Sequence, residues 1–417
     1  MGSASPSSVA DVLRNHRNLA WFMGGMVGIA LVLLSLAAVV GLSRPESGDE
    51  AHFVQTIRQF GQQINFEQLR TYEEMSTPLP FVAYGLWGRL FGFELPALRI
   101  GGILVALATH AVYLVLLLSL LGRRLGALLA FLLFVLHPYT VYLSLFVHTD
   151  IPAVGLALLG LVALRDGRPL WLAVALAGAV LCRQYLVFLS GAVMVFCSLR
   201  WFIMSDRRAV TMGLAAVASL LPFIALLVLW RAPHPDNQVQ KLYIGNAFSF
   251  HPGSLVVYLM TIGVYLLPIL CVRVAAICAD RWLWSAAVVL SPLYWLWPVA
   301  PSPSAVIMEI PTVGFFHRLL HGTVGQGWFE HSILFAGFFL GLLIVGRILI
   351  DMATRIRDRQ LDFVAFMDLV IFSFLIVMPF SYLHWEKYLM PVYPVLIVRL
   401  LLMGPRHDRA AVAGEWV

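Results

Sequence analysis

Charged residues are scarce in this sequence, and lysine is nearly absent from it. Only 12% of the 417 residues are charged and 60% are hydrophobic, whereas soluble globular domains carry roughly 25% charged residues. Lys241 and Lys387 are the only lysines, and the other 26 of the 28 basic residues are arginines. This composition excludes an ordinary soluble domain. The net charge of +6 does not indicate a nucleic-acid partner, because basic residues in such a chain first report membrane topology.

Cysteine is also sparse, with four residues that lie in or beside apolar runs and form no close CxxC pair: Cys182, Cys197, Cys271 and Cys278. We therefore expect neither a zinc–cysteine site nor a disulfide framework. A cleavable signal peptide is not expected either. Residues 1–17 are polar, the first apolar run is too long for a signal peptide, and no small-residue cleavage site follows it.

Long apolar runs dominate the chain, and the plainest, 21–42, has no charge in 22 positions. Because each run approaches the ~20 residues that cross a bilayer core, we predict an all-α polytopic membrane protein with about 12 transmembrane helices. One transmembrane domain, 21–404, would lie between a cytoplasmic N-terminal segment, 1–20, and a cytoplasmic tail, 405–417. The predicted spans are 21–42, 97–121, 126–147, 151–164, 170–187, 189–204, 211–230, 255–277, 282–298, 332–350, 363–383 and 389–404.

Basic residues set the predicted orientation. With a cytoplasmic N-terminus, the cytoplasmic connections and the tail carry most of the arginines close to the spans, as bilayer topology requires: Arg123, Arg124, Arg165, Arg168, Arg207, Arg208, Arg281, Arg355, Arg357, Arg359, Arg406 and Arg409. The membrane would be a bacterial-type cytoplasmic membrane, or the endoplasmic reticulum in a eukaryote. The first extracytoplasmic loop, 43–96, is the longest, and its apolar-aromatic stretch 81–93 suits a helix at the interface.

Ionisable residues gather on the predicted extracytoplasmic side, where the topology puts four groups at about the same membrane depth. Charges within or beside spans cost energy, so they are candidates for function. The groups are Asp49, Glu50 and His52 after the first span, His148 and Asp150 at the second outer turn, Arg183 and Gln184 near the end of the fifth span, and His384, Glu386, Lys387 and Tyr388 before the last.

Each group also has a structural interpretation. The acidic pair after the first span would simply be solvated. Asp150 precedes Pro152 and suits a helix N-cap. Arg183 would snorkel or pair with Asp150, and Lys387 fits an ordinary interfacial belt. The functional interpretation joins the groups: a partly buried carboxylate pair can act as general base toward a hydroxyl. Arg183, Lys387 and His384 can hold a phosphate and stabilise its charge as it leaves.

At these positions the sequence resembles the C-type (GT-C) membrane glycosyltransferases that use polyprenyl-phosphate sugars. Within that superfamily it is most similar to the dolichyl-phosphate-glucose α-1,2-glucosyltransferases of the N-glycan pathway. The shared elements are an acidic pair followed by His and Gln, a Thr-rich Leu-Pro turn, a Thr-acid pair at the second luminal turn and a later Arg-Gln. They correspond here to Asp49-Glu50, His52, Gln55, Thr77-Pro78-Leu79-Pro80, Thr149-Asp150 and Arg183-Gln184.

The C-terminal element departs from that branch. The segment 384–391 reads His-Trp-Glu-Lys-Tyr-Leu-Met-Pro. It is more similar to the Arg-Tyr-Leu-x-Pro element of the bacterial and protein-O-mannosyltransferase branches, with Lys387 in the arginine position. The sugar and the acceptor therefore do not follow from the motifs.

The resemblance implies a GT-C fold with interfacial helices in the first loop and the activity of a hexosyltransferase. It makes Asp49 the catalytic base, while Glu50 and Asp150 would position the acceptor or support the base. The substrate-binding set that it implies is His52, His148, Asp150, Arg183, Gln184, His384, Glu386, Lys387 and Tyr388. Arg183 and Lys387 would hold the phosphate of a polyprenyl-phosphate sugar, and the acceptor would be a glycan or a lipid-linked glycan. No cofactor follows from the residues. Some relatives bind a divalent metal with a comparable acid, so Asp150 is the candidate ligand for Mg²⁺ or Mn²⁺.

Three alternatives compete with this hypothesis. A transporter or lipid-linked-sugar flippase would place charges through the membrane midplane, where Asp368 is the most notable acid. No internal repeat is evident, which argues against a transporter built from duplicated halves. A subunit of a cell-envelope complex would have no chemistry of its own. A ligase of the O-antigen type would use the late loop with His317, Arg318 and His321, but it leaves Asp49, Glu50 and Asp150 unexplained.

Overall fold

The computed structural model describes residues 14–121, 124–232, 234–235, 249–278, 280–381 and 383–403. Residues 1–13, Arg123 and the predicted tail with Arg406 and Arg409 lie outside the described residues. Throughout the described ranges the regular structure is helical, and no strand occurs in them. The predicted domain 21–404 divides into two compact units. One takes the described residues up to Trp201 and from Asp206 to 235, and the other takes Phe202–Ser205 and the described residues from 249 onward.

The first unit is built from twelve described helices, the tenth of them up to Trp201. They are α1 (His16–Val40), α2 (Glu50–Gln62), α3 (Phe66–Thr71), α4 (Leu79–Phe91), α5 (Leu95–Leu120), α6 (Arg124–Val135), α7 (Pro138–Leu145), α8 (Asp150–Arg165), α9 (Pro169–Cys182), α10 (Val187–Met204), α11 (Arg207–Ser219) and α12 (Leu221–Trp230). A short 3₁₀ turn, Gln184–Leu186, joins α9 to α10.

The second unit contains nine described α-helices: α13 (Pro252–Tyr265), α14 (Leu267–Cys278), α15 (Arg281–Leu290), α16 (Leu293–Leu296), α17 (Pro303–Ile307), α18 (Phe315–Val324), α19 (Trp328–Arg357), α20 (Phe363–Val377) and α21 (Tyr393–Leu401). Two 3₁₀ turns, Met378–Phe380 and Glu386–Leu389, lie between α20 and α21. Buried apolar side chains such as Tyr294, Val313 and Phe338 join the segments between α15 and α19 to α13 and α19.

The predicted all-α polytopic fold is confirmed. Among the described residues, six helical stretches are long and apolar enough to cross a membrane: His16–Val40, Leu95–Leu120, Gln184–Met204, Arg207–Trp230, Trp328–Arg357 and Phe363–Phe380. Two bent pairs, α6 with α7 and α13 with α14, raise the number to eight if each pair is one span. The chain is therefore an integral multi-pass membrane protein.

The number of long spans is smaller than the dozen apolar runs, because several runs form shorter or broken helices. The helices at the runs 151–164, 170–187, 282–298 and 389–404 have 16, 14, 10 and 9 residues. The run 126–147 bends by 65° between α6 and α7, where Pro138 begins the second helix. A bend of 91° separates α13 from α14, next to Pro268. Proline removes a helical hydrogen bond and breaks a straight helix.

Two close helix contacts depend on glycine. In the first loop, a Cβ on Gly85 of α4 would lie 2.8 Å from the backbone nitrogen of Gly61 in α2. In the second unit, a Cβ on Gly263 of α13 would lie 1.9 Å from the carbonyl oxygen of Gly337 in α19. The stretch that the sequence predicted at the interface, 81–93, corresponds to α4, so the first loop is a helical layer rather than an irregular loop.

Candidate active site

The acidic pair of the first loop lies where α2 begins. Gly48 has a positive φ of 59°, a left-handed conformation that favours glycine, and it turns the chain into the helix. Asp49 is the N-cap residue, without a capping hydrogen bond from its side chain, and Glu50 is the first helical residue. Successive helical residues point about 100° apart, so the two carboxylates face different surroundings.

Glu50 is completely buried and ion-paired. Its carboxylate accepts hydrogen bonds from Nε and Nη2 of Arg99 at 3.0 and 2.6 Å and from the backbone N–H of Val147 at 2.9 Å. Arg99 also donates to the carbonyl oxygens of Leu42 and Arg44, both at 2.8 Å. The pair therefore fixes the chain after α1, the start of α2 and the segment before α8.

Arg99 was absent from the predicted site, although it is a charge inside the predicted span 97–121. Such a charge signals a buried partner or a function. Its position in the first turns of α5, near the predicted outer face, could have linked it to the acidic pair.

Asp49, in contrast, is open to solvent, with 40% of its side chain exposed. His52 follows one turn later, and its Nε2 lies 4.0 Å from Asp49 Oδ1. The other ring nitrogen, Nδ1, lies 2.6 Å from Oε1 of Glu74, which is buried. Burial raises the pKa of Glu74, and the hydrogen bond from His52 opposes that rise. The three side chains form a carboxylate–imidazole–carboxylate array, and its buried carboxylate, Glu74, was absent from the predicted site.

Asp150 and Arg183 form a second buried pair in the same unit. Arg183 Nη2 lies 2.5 Å from Asp150 Oδ2, and Nη1 donates to Ser76 Oγ at 2.8 Å. Asp150 is the first residue of α8, so its charge lies at the favourable end of the helix, while Thr149 occupies the N-cap position proposed for Asp150.

The contacts of Asp150 do not suit a divalent cation. One carboxylate oxygen is bound to a guanidinium, which would repel the ion. In the part of the chain that the structure describes, Asp150 also belongs to no group of three ligand side chains.

The segment 74–77 connects these two pairs. Glu74 binds His52, Gln184 Nε2 donates to the carbonyl oxygen of Met75 at 2.6 Å, and Ser76 accepts from Arg183. The Thr77 hydroxyl donates to the carbonyl oxygen of Val180 at 2.8 Å. The structure thus brings together three of the four predicted groups around one segment. His148, the remaining member of these three groups, is buried, and its ring lies 5.9 Å from that of Phe53 and 4.8 Å from that of Tyr142.

The fourth predicted group, 384–388, belongs to the second unit, and most of it is engaged in contacts within that unit. Glu386 is completely buried. Its carboxylate accepts from the Tyr265 hydroxyl at 2.5 Å and from the backbone N–H groups of Phe316 and His317 at 2.9 and 3.0 Å. Glu386 thus caps the start of α18, a role for which the sequence offered no signal because the two segments are far apart in the chain.

His384 is also held inside the second unit. Its Nε2 lies 2.9 Å from the carbonyl oxygen of Ala300, and its Nδ1 lies 3.1 Å from Ser254 Oγ. Burial lowers the pKa of His384, so the ring is neutral at neutral pH. Both ring nitrogens of His384 therefore lie within hydrogen-bond distance of groups of the second unit. Tyr388 is buried, and Lys387 is partly exposed.

Comparison with known proteins yields two solved structures, both of ArnT from Cupriavidus metallidurans. One is in the apo state, with a TM-score of 0.39, and the other is bound to undecaprenyl phosphate, with a TM-score of 0.41. In each comparison the identity is 15%, and the match covers 93% of this chain and 78% of the other. No protein family model and no curated protein matches the chain. The function must therefore follow from the residues themselves.

Proposed function

We propose that this protein is a membrane glycosyltransferase that moves a sugar from a polyprenyl-phosphate donor to an acceptor hydroxyl on the extracytoplasmic side. The observation that carries the proposal is the contrast between two adjacent acids. Glu50 is buried against Arg99, whereas Asp49 is exposed beside the His52–Glu74 pair. An accessible carboxylate is what a general base toward a hydroxyl requires.

The proposed reaction is a single displacement with inversion. Asp49 takes the proton of the acceptor hydroxyl, and the hydroxyl oxygen forms a bond to the anomeric carbon of the donor sugar. The bond from that carbon to the phosphate oxygen breaks, and polyprenyl phosphate leaves with the electron pair as an anion. The leaving group needs no proton. His52, held by Glu74, is a positioning residue for Asp49.

The sequence motif assigns a phosphate contact to Lys387, a residue of the second unit, independently of the role proposed for Asp49. The terminal nitrogens of Arg183 bind Asp150 and Ser76, so we give Arg183 the role of holding the segment 74–77. Lys387 is partly exposed and carries the charge that a phosphate requires. This assignment rests on the sequence motif alone.

The transporter alternative is less well supported. Asp368, the acid within the span Phe363–Phe380, is buried and paired with Arg399, which also binds Asp351 at 3.1 Å. An acid that is held in such a network of ion pairs has a structural role. Polar groups of a transport path would line a cavity instead.

The decisive test is a transfer assay on the purified full chain in nanodiscs, with a panel of polyprenyl-phosphate sugars, a membrane-lipid extract as acceptor source, and parallel reactions with chelator. Release of polyprenyl phosphate is measured. We expect one donor to be consumed, and Asp49→Asn to lower the rate about 10²- to 10⁴-fold, the usual contribution of a general base.

Glu46→Gln is the matched control, because Glu46 is an exposed acid of the same loop. Its rate should equal that of the unmodified protein. The unfolding midpoint of Asp49→Asn should stay close to the original, since loss of a charge at a helix start costs about 0.3–1 kcal/mol. A folded Asp49→Asn variant with full activity would contradict the assignment of Asp49 as the general base. A folded protein that consumes no donor would favour the transporter or the complex subunit.

A further inference from the structure

A second cluster of titratable side chains lies in the second unit and takes no part in the proposed transfer. His317 and His321 are four residues apart on α18, so their side chains lie on one helical face. Glu330 lies in the first turn of α19, the next helix along the chain. The helix ends at Val324 and the next begins at Trp328, so a short connection brings the acid back to the two histidines.

The three side chains converge on one point. His317 Nε2 and His321 Nδ1 lie 3.2 and 3.1 Å from the same oxygen, Oε1 of Glu330. One ligand atom from each residue lies within 4.8 Å of the other two. In a tetrahedral zinc site with bonds of about 2.0–2.1 Å, neighbouring ligand atoms are about 3.3 Å apart. Two of the three separations already match that value.

We propose that His317, His321 and Glu330 form a binding site for a divalent transition-metal cation of the Zn²⁺ type. Two imidazole nitrogens and one carboxylate oxygen are a typical zinc donor set. The all-oxygen ligands that Mg²⁺ and Ca²⁺ prefer are not present here. His317 and Glu330 are buried, whereas one third of the His321 side chain is exposed, which leaves a route for the ion.

The role that the surroundings indicate is structural. The cation would clamp α18 to the start of α19. Glu386 binds the backbone N–H groups of Phe316 and His317, so the same helix is tied to the turn Glu386–Leu389 that carries Lys387. In zinc hydrolases with a His-Glu-x-x-His helix, the glutamate after the first histidine is the general base. Arg318 takes that position here, so the site lacks the group that would activate a water.

Metal binding would rearrange one contact. The backbone N–H of Val313 points at His317 Nδ1 at 3.2 Å, so the ring proton lies on Nε2, facing Glu330. A cation on Nε2 moves that proton to Nδ1, and the Val313 amide must then turn away. The arrangement without metal is a hydrogen-bonded His–Glu–His cluster, and this cluster alone is the competing interpretation.

The test uses the full chain in detergent with every polyhistidine tag removed. The protein is stripped with a chelator, dialysed, incubated with ZnCl₂ and passed through gel filtration, and the zinc bound per chain is measured by mass spectrometry. We expect one tightly bound zinc, a rise in the unfolding midpoint on zinc addition, and no displacement by excess Mg²⁺. Zinc content is independent of sugar transfer, so this test and that of the proposed function can fail separately.

His321→Ala is the principal variant, because His321 is the most exposed ligand and its loss leaves the fold least disturbed. We expect zinc to bind at least about tenfold more weakly, since even outer-shell substitutions at metal sites cost 10- to 100-fold. Glu330→Gln is the second variant, and it should lose the zinc-dependent rise in the unfolding midpoint. His16→Ala, an exposed histidine of α1, is the control that should bind zinc normally. Folded protein that binds no zinc, or a His321→Ala variant that binds it like the unmodified chain, would overturn the site in favour of the hydrogen-bonded cluster.

Discussion

Asp49 and Glu50 are neighbours in the chain, and they differ because one lies outside the helix that the other begins. The buried Glu50 neutralises Arg99, whose guanidinium also holds the carbonyl oxygens of Leu42 and Arg44. Removing one partner of such a pair leaves an uncompensated buried charge. Asp49 is partly exposed, with 40% of its side chain accessible, so a substitution there leaves no buried charge uncompensated, and chemistry and stability can be separated by substituting the two acids in turn.

We expect Glu50→Gln to lower the free energy of unfolding by about 3–5 kcal/mol, the usual cost of breaking a buried ion pair. The measurement is thermal or denaturant unfolding in detergent. Glu46→Gln, at an exposed position of the same loop, should stay within about 0.5 kcal/mol of the unmodified protein. If Glu50→Gln kept full stability and lost only transfer, the residue would have a direct part in the chemistry instead.

His384 gives the second unit a pH dependence with a definite sign. Burial lowers the pKa of His384 from 6.5, the hydrogen bond to Ala300 raises it, and the nearby His251 lowers it further. The folded protein therefore binds this proton less readily than the unfolded chain. The contribution of His384 to the free energy of unfolding is fully present above pH 6.5 and is lost as the pH falls through the lowered pKa.

We accordingly expect His384→Gln to flatten the fall of the unfolding midpoint between neutral and acid pH. His16→Gln, at an exposed histidine, should leave the slope unchanged. Unfolding is followed by intrinsic fluorescence in a buffer series. A His384→Gln variant whose pH profile overlays that of the unmodified protein would show that other groups cause the acid sensitivity.

The sequence could identify part of the site at this scale. The structural interpretation of Arg183, as a partner of Asp150, describes its contact in the fold. The counting of spans predicts which side of the membrane a residue faces, but it contains no information on which side chains are in contact. Glu74 and Arg99 were missed for that reason, since their contacts cross 22 and 49 residues of chain. The cap that Glu386 forms on α18 crosses 69 and 70 residues.

At the scale of the helices, composition predicted the positions of the apolar segments. It was less accurate for the length of the helix that each segment forms. The sequence predicted one span over 126–147, whereas the structure bends by 65° within it, where Pro138 begins α7. The close packing of α13 on α19 could not be predicted, because glycines at such contacts look the same in sequence as glycines that face lipid.

Gly341 provides a test of that packing. A Cβ at Gly341 would lie 1.9 Å from the carbonyl oxygen of Leu259, a backbone atom of α13 that cannot rotate away. We expect Gly341→Ala to destabilise the protein by about 1–3 kcal/mol, the usual cost of overpacking. Gly191→Ala in α10 has no atom within 4 Å of the new Cβ and is the matched control. It should be neutral or stabilising, since alanine favours a helix by about 1 kcal/mol over glycine. Equal unfolding midpoints for the two variants would contradict the close contact.

At the scale of the whole molecule, the two compact units divide the chemistry as well as the chain. The first unit contains the exposed acid, its His52–Glu74 pair and the Asp150–Arg183 pair. The second contains Lys387 and the His317–His321–Glu330 cluster. The apolar runs predicted one transmembrane domain, 21–404, and hydropathy contains no information on how the helices pack into groups within it.

Membrane orientation is the property on which the proposed reaction depends at this scale. Between Glu46 and Arg168 the chain passes through the loop helices α2, α3 and α4, and then through α5, the bent pair α6–α7, and α8. If α5, the bent pair and α8 each cross the bilayer once and the loop helices do not cross it, the two residues lie on opposite sides, with Glu46 outside as the distribution of arginines predicts. Both side chains are exposed, so each position can carry a cysteine without disturbing the fold.

We expect Glu46→Cys to react with a membrane-impermeant maleimide on intact cells, and Arg168→Cys to react only after permeabilisation. The unmodified chain is the control for its own cysteines, of which Cys182 and Cys197 are buried and Cys271 is exposed. Labelling of both introduced cysteines from the outside would mean an even number of crossings between them. Labelling of Arg168→Cys alone would invert the chain and bring Asp49 to the cytoplasmic face, where a polyprenyl-linked donor on the outer side could not reach it.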